Sequence, residues 1–208
     1  MSRSTRRNSP RAALTRSSCG TPDIFGDFSG LGDQFRFIRF DRANKGEGAA
    51  VRAGMLAAKS DFALMSDVDL STPLDELRRL TARMNGGADI TIGSRGLSDS
   101  DVLVHQPWYR ETAGKTFNLF IRAVTRLPWR DTQRGFKLFR LGTTRRLFEL
   151  QGSDGFAFDV ELLVLARRLR LVVREVPVRW INNPDTRVRF VSSSAQMALD
   201  TLGWRRLR

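Results

Sequence analysis

Hydrophobic and polar residues first alternate along Phe35–Asp41, FRFIRFD, a period of two that predicts a strand. After a Gly-containing turn, the Ala-rich stretch from about Glu47 to Lys59 predicts a helix. Phe62–Ser66 is a short apolar run and reads as a buried strand. Thr72 is placed to cap a helix with Pro73 at its first position and Asp75 in its first turn, running to about Met84. Ala88–Gly93, ADITIG, predicts another buried strand. Strand and helix alternating in units of about 25 residues argue for an α/β layered domain with a parallel sheet and crossover helices. In such sheets ligands sit beyond the carboxyl ends of the strands, where Asp67, Asp69 and Arg95 fall.

The second half continues the pattern. Pro107 to about Arg126 predicts an amphipathic helix with Phe117, Phe120, Ile121 and Val124 on its apolar side. Arg130–Arg140, RDTQRGFKLFR, reads as a loop entering a strand. A helix over Phe158–Arg170, a strand over Val172–Ile181 and a last amphipathic helix over Ser192–Arg208, basic at its end, follow. Residues 1–34 show neither period and are rich in Arg, Ser, Gly and Pro, so they are expected to be structureless. No internal repeat or long linker interrupts the rest.

Composition narrows this picture. A chain of 208 residues, 41% hydrophobic and 27% charged, suits one globular domain. Its single cysteine, Cys19, cannot form an internal disulfide, which points to a reducing compartment. No run reaches the roughly 20 apolar residues of a spanning helix, and no apolar stretch follows the N-terminal arginines as in a signal peptide. The expected location is therefore cytoplasmic, with any membrane contact peripheral. A net charge of +13 and a pI near 11.4 suggest an anionic partner: nucleic acid, a phosphorylated ligand or an anionic membrane face. Lysine occurs only at Lys45, Lys59, Lys115 and Lys137, and so strong a bias to arginine is explained by coding preference as well as by a polyanion. Nucleic acid is not expected, because the aromatic residues occupy apolar helix and strand positions instead of lying between the basic ones.

Two carboxylates at i and i+2 where a buried strand ends, Asp67 and Asp69, can turn toward one hard divalent cation, Mg²⁺ or Mn²⁺, that shares substrate phosphate oxygens. A solvated loop is the alternative. Asn44, Lys45 and Gly46 open a helix, where glycine lets backbone amides approach an anion and Lys45 adds charge; a plain strand-to-helix turn explains them equally. Arg95 and Arg110 are candidate phosphate clamps. One histidine, His105, excludes triads built on histidine elsewhere in the chain and leaves no Cys/His set for zinc.

In order, NKGEGAAVRAGM, LMSDVDLSTP, TIGSR, YRETAGKTFN, RDTQRGFKLF, FAFDVELL and EVPVRW resemble a family 2 glycosyltransferase, closest to the dolichyl-phosphate β-glucosyltransferase and polyprenyl-phosphate sugar transferase branch. DTQRGFKLF followed by FAFDVELL is the most specific part. The resemblance implies a glycosyltransferase A-type, Rossmann-like fold with a mixed, mainly parallel sheet. It implies transfer of a hexose, glucose first, from a UDP-sugar to dolichyl or another polyprenyl phosphate, with inversion, at an anionic membrane surface. Asp67 would contact the nucleotide and Asp69 the Mg²⁺ or Mn²⁺; Arg95 and Arg110 would face phosphates. Asp131, Gln133 and Lys137 would belong to the acceptor side, and Asp159 with Glu161 to the sugar site.

The resemblance begins at about Phe35. The turn and the strand ending in Asp-Asp-Gly-Ser that bind uracil and ribose in relatives have no counterpart in residues 1–34. The expectation is a partial catalytic domain over 35–208 behind an unrelated segment, 1–34, with an incomplete sheet. A non-catalytic scaffold of the same fold is the alternative function, and a basic binding module a more distant one.

Overall fold

The computed structural model describes residues 12–15, 35–38, 46–67, 69–97, 100, 102–104 and 108–181. Strand β1 (Ala12–Thr15) pairs in parallel with β2 (Phe35–Ile38). Helix α1 (Glu47–Ala57) leads to β3 (Phe62–Ser66), a 3₁₀ turn at Leu74–Glu76, α2 (Leu77–Asn85) and β4 (Ile90–Ser94). Then come β5 (Val102–Val104), α3 (Trp108–Thr125), β6 (Phe136–Arg140), α4 (Leu141–Leu150), α5 (Phe158–Arg168), β7 (Val173–Pro177) and β8 (Trp180–Ile181).

The main sheet has the order β3-β6-β4-β7. β6 is antiparallel to both β3 and β4, while β4 and β7 are parallel, so three strands share one direction and β6 alone is reversed between them. The mixed sheet agrees with the expected fold. The purely parallel sheet inferred from periodicity does not hold, because strand direction follows from pairing across the chain and leaves no trace in a strand's own residues. The reversal matters for function: it brings the loop that enters β6 to the same edge as the carboxyl ends of β3 and β4.

Side chains of β6 alternate between two cores, the period of two expected of a strand covered on both faces. Phe136 and Leu138 pack with Leu80 and Met84 of α2 and with Val176. Phe139 packs on the other face with Ile90, Ile92, Leu147, Phe148 and Leu163, its ring meeting that of Phe148 edge to face at 5.2 Å. Burial of each such side chain contributes roughly 1.5–3 kcal/mol. Lys137 shares the Phe139 face and is 0% exposed.

Several expectations need correction. A strand lies at Ala12–Thr15, inside the segment expected to be structureless; four residues are too few to show alternation, and the pairing partner lies 23 positions along the chain (12 to 35). Thr72 does not cap α2: the segment enters through a 3₁₀ turn that Pro73 precedes in extended conformation, and neither start has a side-chain cap. The strand expected over Val172–Ile181 is two strands, β7 and β8, that belong to different sheets. Neither β5 nor α4 had an expected counterpart. The polar Thr143, Thr144, Arg145 and Arg146 of α4 blur the helical period, and Thr144 donates back to the carbonyl of Arg140 at 2.8 Å. The helix expected over Ser192–Arg208 lies outside the described residues.

Candidate active site

The site is assembled at one edge of the main sheet. β3 delivers Asp67 and Asp69, β4 delivers Arg95, and the reversed β6 is entered through Asp131, Gln133, Arg134 and Gly135. A tight turn follows β3: Leu70 donates its amide to the carbonyl of Asp67 at 3.2 Å and holds φ at 50°, a left-handed conformation for a non-glycine residue. Asp69 Oδ1 accepts the amide of Ser71 at 3.0 Å, the side-chain-to-backbone turn that short acidic residues favour.

Asp67 is pressed against Gly135. A Cβ at Gly135 would stand 1.7 Å from Asp67 Oδ1, so only glycine leaves the carboxylate its place. Burial raises the Asp67 pKa above its ordinary value; Arg134 opposes the rise, Asp69 adds to it, and Lys137 and Arg95 oppose it more weakly. A desolvated carboxylate of this kind gains from a cation.

Asp131 is buried and tethers Arg95, accepting its backbone amide at 3.2 Å and its Nε at 3.3 Å. Burial alone would raise the Asp131 pKa, but Arg95 and Arg134, with the hydrogen bonds from Arg95, hold it below the ordinary range. Glu175 of β7 fixes this loop from beneath, accepting the amides of Arg130 and Asp131, each at 2.9 Å. The guanidinium carbons of Arg95 and Arg134 lie 4.8 Å and 5.0 Å from the centre of the Trp180 ring. Gln133 is half-buried in the same loop.

Lys137 was expected to face the substrate and is instead engaged by the protein. Its ammonium donates to Asp159 Oδ1 at 2.6 Å and to the carbonyl of Arg134. Strand alternation decides this, since Lys137 points to the α5 face of β6. Asp159 is pushed up to about 6 by burial, against the pull of Lys137. Glu161, two residues along α5, accepts the amides of Gly152 at 3.0 Å and Ser153 at 2.8 Å, and so holds the loop before α5. The expected acidic pair is therefore divided between an ion pair and a loop anchor.

Gly46 also differs from expectation. It takes φ of 109° at the start of α1, and a Cβ there would lie 2.2 Å from the Asp154 carbonyl oxygen. Close packing against the loop before α5 is sufficient to demand glycine at this position. Asn44 and Lys45 lie outside the described residues; Arg110 is in α3, where only its backbone is described.

Sequence reasoning missed Glu47, Arg134, Glu175 and Trp180. Glu47, half-buried at the start of α1, is pushed up to about 7 by burial first, then by Asp159 and Asp67, with Lys137 opposing. Its position after a glycine turn was visible, but the facing carboxylates come from β3 and α5. The native state thus holds a proton on Glu47 that the unfolded chain releases near its ordinary value of 4.5, and stability falls as pH rises from there through about 7. Glu47→Gln is expected to raise the melting temperature at pH 8 by a few degrees, about 2–4 °C per kcal/mol, and by less at pH 5. Thermal melts of both proteins without added metal test this; a difference independent of pH refutes it.

The family model described as "Glycosyl transferase family 2" matches residues 16–148. The chain belongs to this family. The match begins ahead of Phe35, where the resemblance of the motifs starts. Among relatives, the dolichyl-phosphate β-glucosyltransferase of Dictyostelium discoideum is 35% identical over 164 residues, covering 76% of this chain and 50% of that protein. The Drosophila melanogaster protein of the same name is 35% identical, with the same coverage. The Haloferax volcanii glycosyltransferase AglD is 31% identical over 82% of this chain and 27% of its own length. The chain spans about half the length of the dolichyl-phosphate β-glucosyltransferases it matches. Among solved structures, the glucosyl-3-phosphoglycerate synthase of Mycobacterium tuberculosis shares the fold. Its complex with phosphoglyceric acid superposes with a TM-score of 0.63 at 16% identity, over 90% of this chain and 66% of that one. Its complex with Mn²⁺ and UDP-glucose gives 0.60 at 16% identity, over 90% and 65%.

Proposed function

We propose that this family 2 chain transfers glucose from UDP-glucose to the phosphate of a dolichyl or other polyprenyl carrier, inverting the anomeric carbon. The observation that carries this reading is a half-buried, partly desolvated carboxylate, Asp67, set beside the cations Arg134 and Arg95 at the sheet edge where β3 and β4 end. A diphosphate needs such mixed charge: arginines for its oxygens, and carboxylates to hold the cation that bridges them. The names of the relatives support the dolichyl phosphate acceptor and the glucosyl group.

Asp67 and Asp69 fit a hard divalent cation. Among the described residues no group of three or more His, Cys, Asp or Glu stands ready to hold a metal. Mg²⁺ and Mn²⁺ accept one or two carboxylates and complete their shell with water and substrate phosphate. When bound there, the ion supplies positive charge against the leaving diphosphate. Arg95, oriented by Asp131, contributes fixed charge on the same side. The acceptor phosphate is already an anion at neutral pH, so no strong base is required and alignment with charge neutralisation suffices.

No described helix is long and apolar enough to cross a membrane. On α3, Leu119 is 64% exposed and Phe120 39%, which supports a peripheral seat on the lipid surface where the acceptor lies.

Calorimetric titration of the chain with UDP-glucose and Mn²⁺ tests the proposal. Heat that requires metal and is lost in Asp67→Asn/Asp69→Asn is the expected outcome, with affinity falling by at least about tenfold. No heat from a folded chain refutes it in favour of the non-catalytic scaffold.

A further inference from the structure

Arg134 is built for a ligand that the protein does not supply. It is 6% exposed, and among the described residues its Nε and Nη2 are buried without a hydrogen-bond acceptor. Its nearest carboxylate partner, Asp131 Oδ2, stands 4.0 Å from Nε, beyond hydrogen-bond reach and already taken by Arg95. Native folds retain few buried donors without acceptors, because each has lost its hydration without a bond in return. Trp180, over whose ring the guanidinium carbons of both Arg134 and Arg95 lie, has its own Nε1 buried and, among the described residues, without an acceptor. The contact with the ring holds the Arg134 guanidinium while leaving its Nε and Nη2 unused among the described residues.

The placement selects the ligand class. Arg134 immediately precedes Gly135, whose Cα lies against the Asp67 carboxylate, and its own carbonyl is held by Lys137. The unused fork therefore stands beside the carboxylate pair. A ligand that meets a guanidinium fork and a carboxylate-bound cation together must offer several anionic oxygens on one centre or on adjacent centres.

We propose that Arg134 is a direct phosphate ligand, donating Nε and Nη2 to phosphate oxygens on a two-arginine platform built on Trp180. This rests on the function proposed above, because the phosphate is either that of the sugar nucleotide or that of the lipid acceptor. The second cation, Arg95, is tethered by Asp131 and orients the platform. Burial first, and then Arg95, lower the Arg134 pKa to about 10, which still leaves it charged at neutral pH.

Two titrations separate the sources: UDP with Mn²⁺, and geranyl phosphate without nucleotide. In Arg134→Met the affinity for one of the two probes is expected to fall roughly tenfold to a hundredfold, the other being held. Arg134→Lys keeps the charge without the fork and should recover only part of the loss. In the wild-type chain, the arginine Nε–H resonance missing from Arg134→Lys should shift when the affected probe is added. Binding of both probes by Arg134→Met as tightly as by wild type overturns the inference while leaving the proposed function intact. A resonance that does not move overturns it too. Binding of neither probe by the wild-type chain removes the inference together with the function beneath it.

Discussion

Lys137→Met lowers the stability of the fold by about 3–5 kcal/mol, the penalty for leaving one member of a buried ion pair alone. The ammonium is 0% exposed and meets Asp159 at 2.6 Å, so the substitution strands a carboxylate in a site already hostile to charge. It also frees the carbonyl of Arg134, which Lys137 holds from below. Since Gly135 and the Asp67 carboxylate are packed against each other, loss of that hold loosens the wall of the site. Urea unfolding monitored by circular dichroism measures the effect. The double variant Lys137→Met/Asp159→Leu should recover most of it, because an apolar pair of similar size replaces the stranded charge. An unfolding midpoint unchanged in Lys137→Met, with ligand affinity reduced, would show that this lysine faces substrate after all.

The second large effect is at Gly46. Alanine there meets two separate costs: a φ of 109° that side-chain-bearing residues avoid, and a Cβ 2.2 Å from the Asp154 carbonyl oxygen. Backbone cannot swing aside as a side-chain tip can, so α1 must part from the loop before α5. That contact also carries the Ala49 amide to the Asp154 carbonyl at 3.2 Å and Arg52 to Asp154 Oδ1 at 2.9 Å. The expected loss is about 2–5 kcal/mol. Gly87 is the control: its φ is 89° but nothing stands within 4 Å of a Cβ, so Gly87→Ala shows the conformational cost alone, about 1–2 kcal/mol. Equal unfolding midpoints for the two variants would rule out the clash.

Several parts of the fold were legible because local pattern and tertiary burial agree. Phe62–Ser66 was read to the residue, since its apolar run is bounded by turn residues on both sides. Phe158–Arg168 carries apolar residues all round and is buried throughout much of its length, as such a pattern demands. β1 and α4 were hidden for opposite reasons: β1 is too short to have a period, and α4 has the polar run Thr143–Arg146 near its middle.

The site shows the same division. Asp67, Asp69 and Arg95 could be placed at strand ends from sequence because those ends are marked by the switch from apolar to polar residues, and that switch is local. Which of the many arginines matters could not be read. Arg134 has no periodic signature, and the groups that surround it include Trp180 and Asp67, contributed by two other segments. Lys137 and Glu161 were named for substrate but lie in protein contacts, because the direction in which a strand or helix side chain points depends on what packs against each face.

The order of chemical groups along the chain was therefore determined by sequence alone: carboxylates at a strand end, arginines after the next strand and before β6, and acidic residues opening α5. Local propensity and covalent neighbourhood suffice for that. Tertiary structure alone decided the reversed direction of β6, the burial of Lys137 against Asp159, and the stacking of two arginines on Trp180. Each of these depends on contacts between residues far apart in the chain, whose free energy exists only once the sheet has formed.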